Sequence, residues 1–278
     1  MSVALALAGA VIFGTGDFFG GLASRRIALL SVLLVSQSTG LAGMLLASLA
    51  VRGDPSGVDL LLGAAAGLAG GAGVTMLYRG LATGSMSLVA PVTGVVASVV
   101  PVIAGVAFGE RPAALQLAGI VIAVGSVALL GGGPSTAPSA PRRWSPLLLA
   151  VGAGAGFGLF FIALSRTASA AGLWPIAAAR GATVSAFVLA ALATRSLRKP
   201  LAGNLPILIA TGVLDVAANV LYLVAVHAGL LSIVAVLISL YPAATVVCSM
   251  VVLGERLRRM QVTGVIAALI AVVLIAAG

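Results

Sequence analysis

The sequence predicts an all-α integral membrane protein with ten transmembrane helices, arranged as two inverted five-helix repeats. Its composition is 61% hydrophobic and only 8% charged. That is too little polar surface to cover a soluble globule of 278 residues. The pattern Gly-Glu-Arg-x4-Gln-x2-Gly occurs twice, beginning at Gly109 and at Gly254, 145 positions apart. A repeat of this kind indicates a duplicated unit.

The ten helices are predicted from apolar runs of about 20 residues, which cross a hydrocarbon core of roughly 30 Å. They are 3–24, 28–51, 58–80, 87–108, 113–131, 147–166, 173–194, 205–226, 231–252 and 260–277. Between the fifth and sixth runs the chain is rich in Gly, Ser and Pro, which is typical of a flexible linker. We therefore predict a first repeat over 1–131, a linker over 132–146 and a second repeat over 147–278.

The inversion follows from the odd number of helices in each repeat. After five crossings the chain is on the opposite side of the membrane, so equivalent ends of the two repeats face opposite sides. A second echo supports the duplication: the segment Gly14-Thr15-Gly16-Asp17-Phe18-Phe19 is similar to Gly156-Phe157-Gly158-Leu159-Phe160-Phe161, at an offset of 142. It comes near the start of each half.

The net charge of +9 is a topology signal, because almost all the cations lie between apolar runs. It does not indicate nucleic-acid binding. One side of the membrane collects eleven cations, against three on the other side, Arg52, Arg111 and Arg166. The eleven are Arg25, Arg26, Arg79, Arg142, Arg143, Arg195, Arg198, Lys199, Arg256, Arg258 and Arg259. By the positive-inside bias the eleven face the cytosol, which puts both termini outside.

The paired Gly-Glu-Arg-x4-Gln-x2-Gly pattern in a ten-span chain resembles the EamA family of the drug/metabolite transporter superfamily. Tyr241-Pro242 lies where that family often has a proline, whereas the first repeat has Pro91 and Pro101 instead. The resemblance implies a bacterial inner-membrane carrier, often an exporter, for amino-acid-like, drug-like or nucleobase-like compounds. It also implies cytosolic termini, in conflict with the charge distribution of this chain, which we follow.

Polar residues near the middle of the predicted helices are the candidates for substrate binding or coupling, because they replace the water that a substrate loses. Asp215 has Thr211, Asn219 and Tyr222 at positions i−4, i+4 and i+7, so the four form one stripe, predicted to face a central cavity. The first repeat has Gly67, Gly71, Thr75 and Tyr78 at the same spacing, at an offset of 144. The acid occurs in only one of the two repeats.

Two further charges lie inside predicted helices. Asp17 is in the first helix, and Arg180 is in the seventh, with Gln37 as its equivalent at an offset of 143. Arg180 predicts either an ion pair with one aspartate or an anchor for a substrate carboxylate, and the ion pair is favoured. The remaining aspartate would then be free to exchange a proton. Asp215 is the first choice for that role and Asp17 the second.

Other motifs have structural interpretations. The series Gly63-x3-Gly67-x3-Gly71 predicts close helix packing. The turns at Glu110 and Glu255 are expected to place an acid at the start of the next helix. The aromatic pairs Phe18–Phe19 and Phe160–Phe161 are expected to be packed or lipid-facing rather than to line a cavity.

The function predicted from these features is secondary-active transport of a small molecule by alternating access between the two repeats, with proton coupling as the hypothesis for its energy source. The sequence contains no Gly-x4-Gly-Lys-Ser/Thr motif for ATP and suggests no cofactor or metal. A passive facilitator or channel is the alternative, although no ring of charges favours it. A membrane-embedded enzyme fits less well, because the chain has one His and one Cys. We expect a monomer within the bilayer to be the functional unit.

Overall fold

The computed structural model describes residues 1–82, 86–130, 146–195, 204–253 and 259–277. All regular secondary structure within these ranges is helical. The helices are α1 (Ser2–Ser24), α2 (Leu29–Ala50), α3 (Gly57–Ala82), α4 (Met86–Ala107), α5 (Ala114–Leu130), α6 (Pro146–Ser165), α7 (Trp174–Thr194), α8 (Leu205–His227), α9 (Leu231–Ile238), α10 (Tyr241–Leu253) and α11 (Arg259–Ala277). A 3-10 turn, Ser169–Ala171, precedes α7.

Six of the described helices are long and apolar enough to cross a membrane, namely α1, α2, α3, α6, α7 and α8. The other apolar helical stretches in the described ranges are shorter. Many large apolar side chains point outward, among them Leu46, Leu49, Leu189 and Leu192. A soluble protein does not expose so many apolar side chains, so this surface fits contact with lipid. The predicted linker lies largely outside the described residues.

The ninth predicted helix is not continuous. We expected one helix over 231–252, but α9 ends at Ile238 and α10 begins at Tyr241. Pro242 explains the break, because its ring would clash with the carbonyl of Ile238 four residues earlier and it has no N–H to donate. The interruption leaves Ser239 and Leu240 in a buried turn between the two short helices. Discontinuous helices of this kind frequently adjoin transporter binding sites.

The two halves of the chain interdigitate rather than forming separate bodies. Helix α1 packs mainly against α8 and α10, while its counterpart α6 packs against α3 and α4. Helix α2 contacts α7 and α8, and α5 lies along α11. The molecule therefore contains two bundles of mixed origin, one built around α1 and α8 and the other around α3 and α6, and α2 and α7 contact each other between them.

These contacts change which residues of α1 and α6 are equivalent in the two repeats. Gly14 packs against Tyr241 and Thr245 of α10, but Gly156 packs against α3, so the echo at an offset of 142 does not join equivalent positions. An offset of 144 does, because Gly16 packs against Leu214 in the same way as Phe160 packs against Gly70. The structural counterpart of Asp17 is consequently Phe161.

Glu110 caps a helix of the other half. Its two carboxylate oxygens accept the backbone N–H groups of Leu231 at 2.6 Å and Ser232 at 2.9 Å, at the start of α9. This negative charge satisfies free amide groups and complements the positive end of the helix dipole. We expected the Glu110 carboxylate at the start of the next helix, which is α5. That expectation was wrong, because Glu110 caps α9 instead. Glu255 lies outside the described residues.

Candidate functional site

A central cavity lies where the two halves meet. It contains about 650 Å³ of space free of protein atoms, including its opening. Seven helices contribute to its lining, which consists of Phe13, Gly16, Asp17, Gln37, Gly70, Gly71, Val74, Tyr78, Phe157, Phe160, Phe161, Arg180, Asp215, Asn219 and Tyr241.

A buried ion pair crosses the cavity wall. The Nη2 atom of Arg180 on α7 lies 2.7 Å from Oδ2 of Asp215 on α8. The Nη1 atom of Arg180 donates a hydrogen bond to Oε1 of Gln37 on α2 at 2.5 Å. Arg180 and Gln37 occupy equivalent positions of the two halves, so the pseudo-symmetry axis passes close to this contact. The ion pair predicted from the sequence is thus present, with Asp215 as the partner.

The Asp215 carboxylate has a second partner on its own helix. The Asn219 side-chain amide donates to the Asp215 carbonyl at 2.7 Å and to Oδ1 of its carboxylate at 3.2 Å. The amide oxygen of Asn219 is buried and has no hydrogen-bond partner among the described residues. A buried acceptor without a partner loses its hydration for no gain. Asn219 therefore offers an acceptor to a ligand in the cavity.

Asp17 differs from Asp215 in having no such partners. Within the described ranges it makes neither an ion pair nor a hydrogen bond, and it is partly buried in the cavity wall. The Tyr78 side chain packs beside it, because a Cβ atom at Gly20 would overlap the Tyr78 hydroxyl group. Asp17 and Tyr78 therefore form one end of the polar surface, and the Arg180–Asp215 pair forms the other.

Three predicted site residues do not line the cavity. Tyr222 is fully buried and donates its hydroxyl hydrogen to the Phe161 carbonyl at 2.5 Å. Thr211 and Thr75 donate to carbonyls of their own helices, those of Ile207 at 2.8 Å and of Gly71 at 2.7 Å. The stripe on α8 therefore divides, with Asp215 and Asn219 in the cavity and the other two packed against neighbouring helices.

The aromatic wall of the cavity was missed by sequence reasoning. Phe160 and Phe161 line the cavity together with Phe157, contrary to the expectation that the pair is packed away or lipid-facing. The ring of Phe161 contacts that of Tyr222, with centroids 4.6 Å apart. The spacing of Phe157, Phe160 and Phe161 on one helical face was the available signal.

Tyr241 was also missed as a site residue. It begins α10 directly after the helix break, it lines the cavity, and its hydroxyl group is buried without a hydrogen-bond partner among the described residues. Asn219 and Tyr241 thus both offer polar atoms that a ligand can satisfy.

The chemistry of the cavity suits recognition rather than reaction. In the part of the chain that the structure describes, no three residues of the types His, Cys, Asp and Glu are grouped as metal ligands. The cavity lining contains two acids, one base, four phenylalanines and no histidine or cysteine. Such a surface can bind and orient a small molecule and exchange a proton with it.

Comparison with known proteins agrees with this fold. The sequence model of the EamA-like transporter family matches residues 1–132 and 144–277. No curated protein matches the sequence. One solved protein crystal structure superposes with a TM-score of 0.71 at 16% sequence identity, covering 98% of this chain and 95% of that chain. This last similarity concerns the fold alone.

The family match covers both halves, and members of this family are membrane transporters rather than enzymes. The protein is therefore a multi-pass integral membrane protein that functions in a lipid bilayer. The chain belongs to the EamA-like transporter family, within the drug/metabolite transporter superfamily.

Proposed function

We propose that the protein is a secondary-active exporter of small metabolites that works by alternating access in a bacterial inner membrane. The observation that carries the proposal is the central cavity, in which the few charged residues of the membrane interior come together. Charged groups are costly at membrane depth and occur there mainly on substrate or ion pathways. The proposed architecture is ten transmembrane helices in two inverted repeats, with residues 1–131 and 147–278 as the repeats.

The helix contacts favour a particular form of alternating access. Because α1 packs with α8, and α6 packs with α3, the proposed moving bodies are the two mixed bundles rather than the two repeats, with the contact between α2 and α7 joining them. The cavity lies between these bundles and would open alternately to each side as they rock. Glu110 holds the loop after α4 against the start of α9, so it joins the two bundles at one side of the membrane.

Asp17 is the proposed coupling site for protons. The ion pair with Arg180 keeps Asp215 occupied, and that leaves Asp17 as the carboxylate in the cavity that can be neutralised only by a proton or by a ligand. This reverses the order of the two aspartates expected from the sequence. Substrate contacts are proposed for Asn219, Tyr78, Gln37 and the aromatic wall, with the monomer as the functional unit.

A transport assay in proteoliposomes tests this function. Purified protein is reconstituted with an internal pH dye and supplied in turn with amino acids, nucleobases and aromatic amines under an imposed pH gradient. A carrier is expected to show saturable exchange of labelled against unlabelled substrate and proton movement that depends on substrate. A passive facilitator would move the same compound without proton movement, and a channel would show no exchange against a gradient.

The orientation of the termini is a separate part of the proposal. The excess of cations on one side supports a cytosolic position for Arg195, with both termini outside. A single cysteine at Arg195, labelled with an impermeant maleimide in intact cells and in inverted vesicles, is expected to react only in the vesicles. Labelling in intact cells would reverse the orientation.

A further inference from the structure

The charges that line the cavity do not balance. Two carboxylates, Asp17 and Asp215, face a single cation, Arg180. Arg180 is committed to Asp215 at 2.7 Å and to Gln37. With all three groups ionised, the cavity has one excess negative charge, and that charge is on Asp17. An unpaired carboxylate in such a site is neutralised either by a proton or by a ligand of opposite charge.

The opposite chemistry lines the other part of the cavity. Phe157, Phe160 and Phe161 of α6 present a hydrophobic and aromatic surface, extended by Val74 on α3. The equivalence of the two halves makes this surface the counterpart of the acidic one, since Phe161 corresponds to Asp17 and Phe160 corresponds to Gly16. The cavity is therefore acidic along α1 and α8 and apolar along α6.

We propose that the cavity binds a protonated amine with an aromatic body, the ammonium group at Asp17 and the ring against Phe157, Phe160 and Phe161. This inference rests on the proposed transport function and narrows it to one substrate class. The ammonium group supplies the missing cation, and the phenylalanine rings add hydrophobic contact and ring–ring attraction to the aromatic body. A carboxylate on the ligand would instead add a negative charge to a site that already has one in excess.

The same geometry couples the amine to protons. Asp17 can be neutralised by an ammonium group or by a proton but not by both, so the two ligands compete for one carboxylate. A proton that enters from one side displaces the amine and remains on Asp17 until the next amine arrives. The titratable groups that face Asp17 are Asp215 on α8, Tyr78 on α3 and Tyr241 on α10.

The test uses three ligands that share a phenyl ring and differ in charge: phenethylamine is a cation, phenylalanine a zwitterion and 3-phenylpropionate an anion. Binding of radiolabelled phenethylamine to the purified full-length protein is measured with the other two as competitors. Phenethylamine is expected to bind, to resist competition by the other two compounds, and to bind more weakly at acidic pH, because a proton and the ammonium group compete for the Asp17 carboxylate.

Two variants make the assignment specific. Asp17→Asn keeps the shape of the side chain and removes its charge, so phenethylamine affinity is expected to fall by about tenfold or more. Asp17→Glu keeps the charge and should retain measurable binding, which controls for misfolding. Asp54→Asn removes an exposed aspartate outside the cavity and should leave binding unchanged.

The possible results separate this inference from the proposed function. Tighter binding of phenylalanine or 3-phenylpropionate, unchanged affinity in Asp17→Asn, or no binding of phenethylamine would each overturn the amine assignment, while saturable exchange of another compound would leave the carrier intact. Binding of phenethylamine that depends on Asp17, without any exchange in proteoliposomes, would support the site and contradict the carrier.

Discussion

The two walls of the central cavity come from equivalent helices of the two halves, but they differ in chemistry. In the wall formed by α1 and α8, the lining residues include Asp17, Asp215 and Asn219. At an offset of 144 their counterparts on α6 and α3 are Phe161, Gly71 and Thr75. One wall has acids and an amide, and the other has an aromatic ring and a glycine, while Thr75 bonds to its own helix and does not line the cavity.

This difference shows that the two repeats have equivalent backbone positions, whereas the side chain at each position depends on the residues packed around it. Asp215 is retained beside Arg180, which pairs with it. At the equivalent Gly71, a Cβ atom would come within 2.9 Å of the Thr183 methyl carbon on α7, so no larger residue fits. A cavity with one acidic and one apolar wall is the consequence, and it can orient a ligand that has a charged end and an apolar end.

The largest effect is expected from removing the cation of the acidic wall. Arg180→Met leaves the Asp215 carboxylate buried without its partner, which should lower the free energy of unfolding by about 3–5 kcal/mol. Denaturant unfolding of the purified protein in detergent measures this change. Arg79→Met, which removes an exposed arginine of α3, is the control and should have little effect.

The double variant Arg180→Met with Asp215→Leu distinguishes a charge effect from lost packing. Replacing both members of a buried pair by apolar residues is often neutral or stabilising, so most of the lost stability should return. If the double variant is as unstable as Arg180→Met alone, the stability comes from the shape of the arginine side chain and not from the ion pair.

Several elements of this structure were predictable because they depend on local patterns. Apolar runs locate the six long helices α1, α2, α3, α6, α7 and α8, since burial in lipid requires about 20 apolar residues whatever their neighbours are, but they do not reveal the break between α9 and α10. The ion pair was predictable because so few charges lie inside helices, and Arg180 needed one of two aspartates. The glycine series on α3 was correctly expected to pack closely, as Gly63 and Gly67 lie against the α7 backbone at Pro175 and Ala179.

The remaining features depend on which helix is the neighbour, and helical spacing does not contain that information. The spacing places Tyr222 and Asp215 on one stripe of α8, but α6 covers Tyr222 and leaves Asp215 in the cavity. The echo at an offset of 142 aligned glycines that pack against different helices, because small residues are selected wherever two helices approach. The correct counterpart of Asp17 therefore became evident only from tertiary contacts.

A smaller effect is expected from adding a methyl group where α3 and α7 pack closely. In Gly67→Ala the new Cβ atom would overlap the Ala179 backbone on α7, so α3 and α7 must separate. Overpacking of this kind costs about 1–3 kcal/mol of stability. Gly181→Ala on α7 is a matched control, because no atom lies within 4 Å of its new Cβ atom.

The control is informative because its change in stability should not have the same sign as that of Gly67→Ala. Alanine restricts the unfolded chain more than glycine does, so Gly181→Ala should be neutral or stabilising by up to about 1 kcal/mol. Unfolding in detergent again provides the measurement. Equal destabilisation by both substitutions would mean that the close approach of α3 and α7 does not explain why Gly67 is required.

The smallest effect distinguishes two tyrosines at equivalent positions, Tyr78 on α3 and Tyr222 on α8. The Tyr222 hydroxyl group donates to the Phe161 carbonyl and thereby holds the α6 wall against α8. Tyr222→Phe removes that bond and should cost about 1 kcal/mol of stability.

The Tyr78 hydroxyl group has no hydrogen-bond partner among the described residues and faces the cavity instead, so Tyr78→Phe should change stability by only a few tenths of a kcal/mol. Its effect should appear in ligand affinity, because the hydroxyl group lies beside Asp17. Equal losses of stability in Tyr78→Phe and Tyr222→Phe would show that the two walls have the same supporting contacts and that their asymmetry is confined to charge.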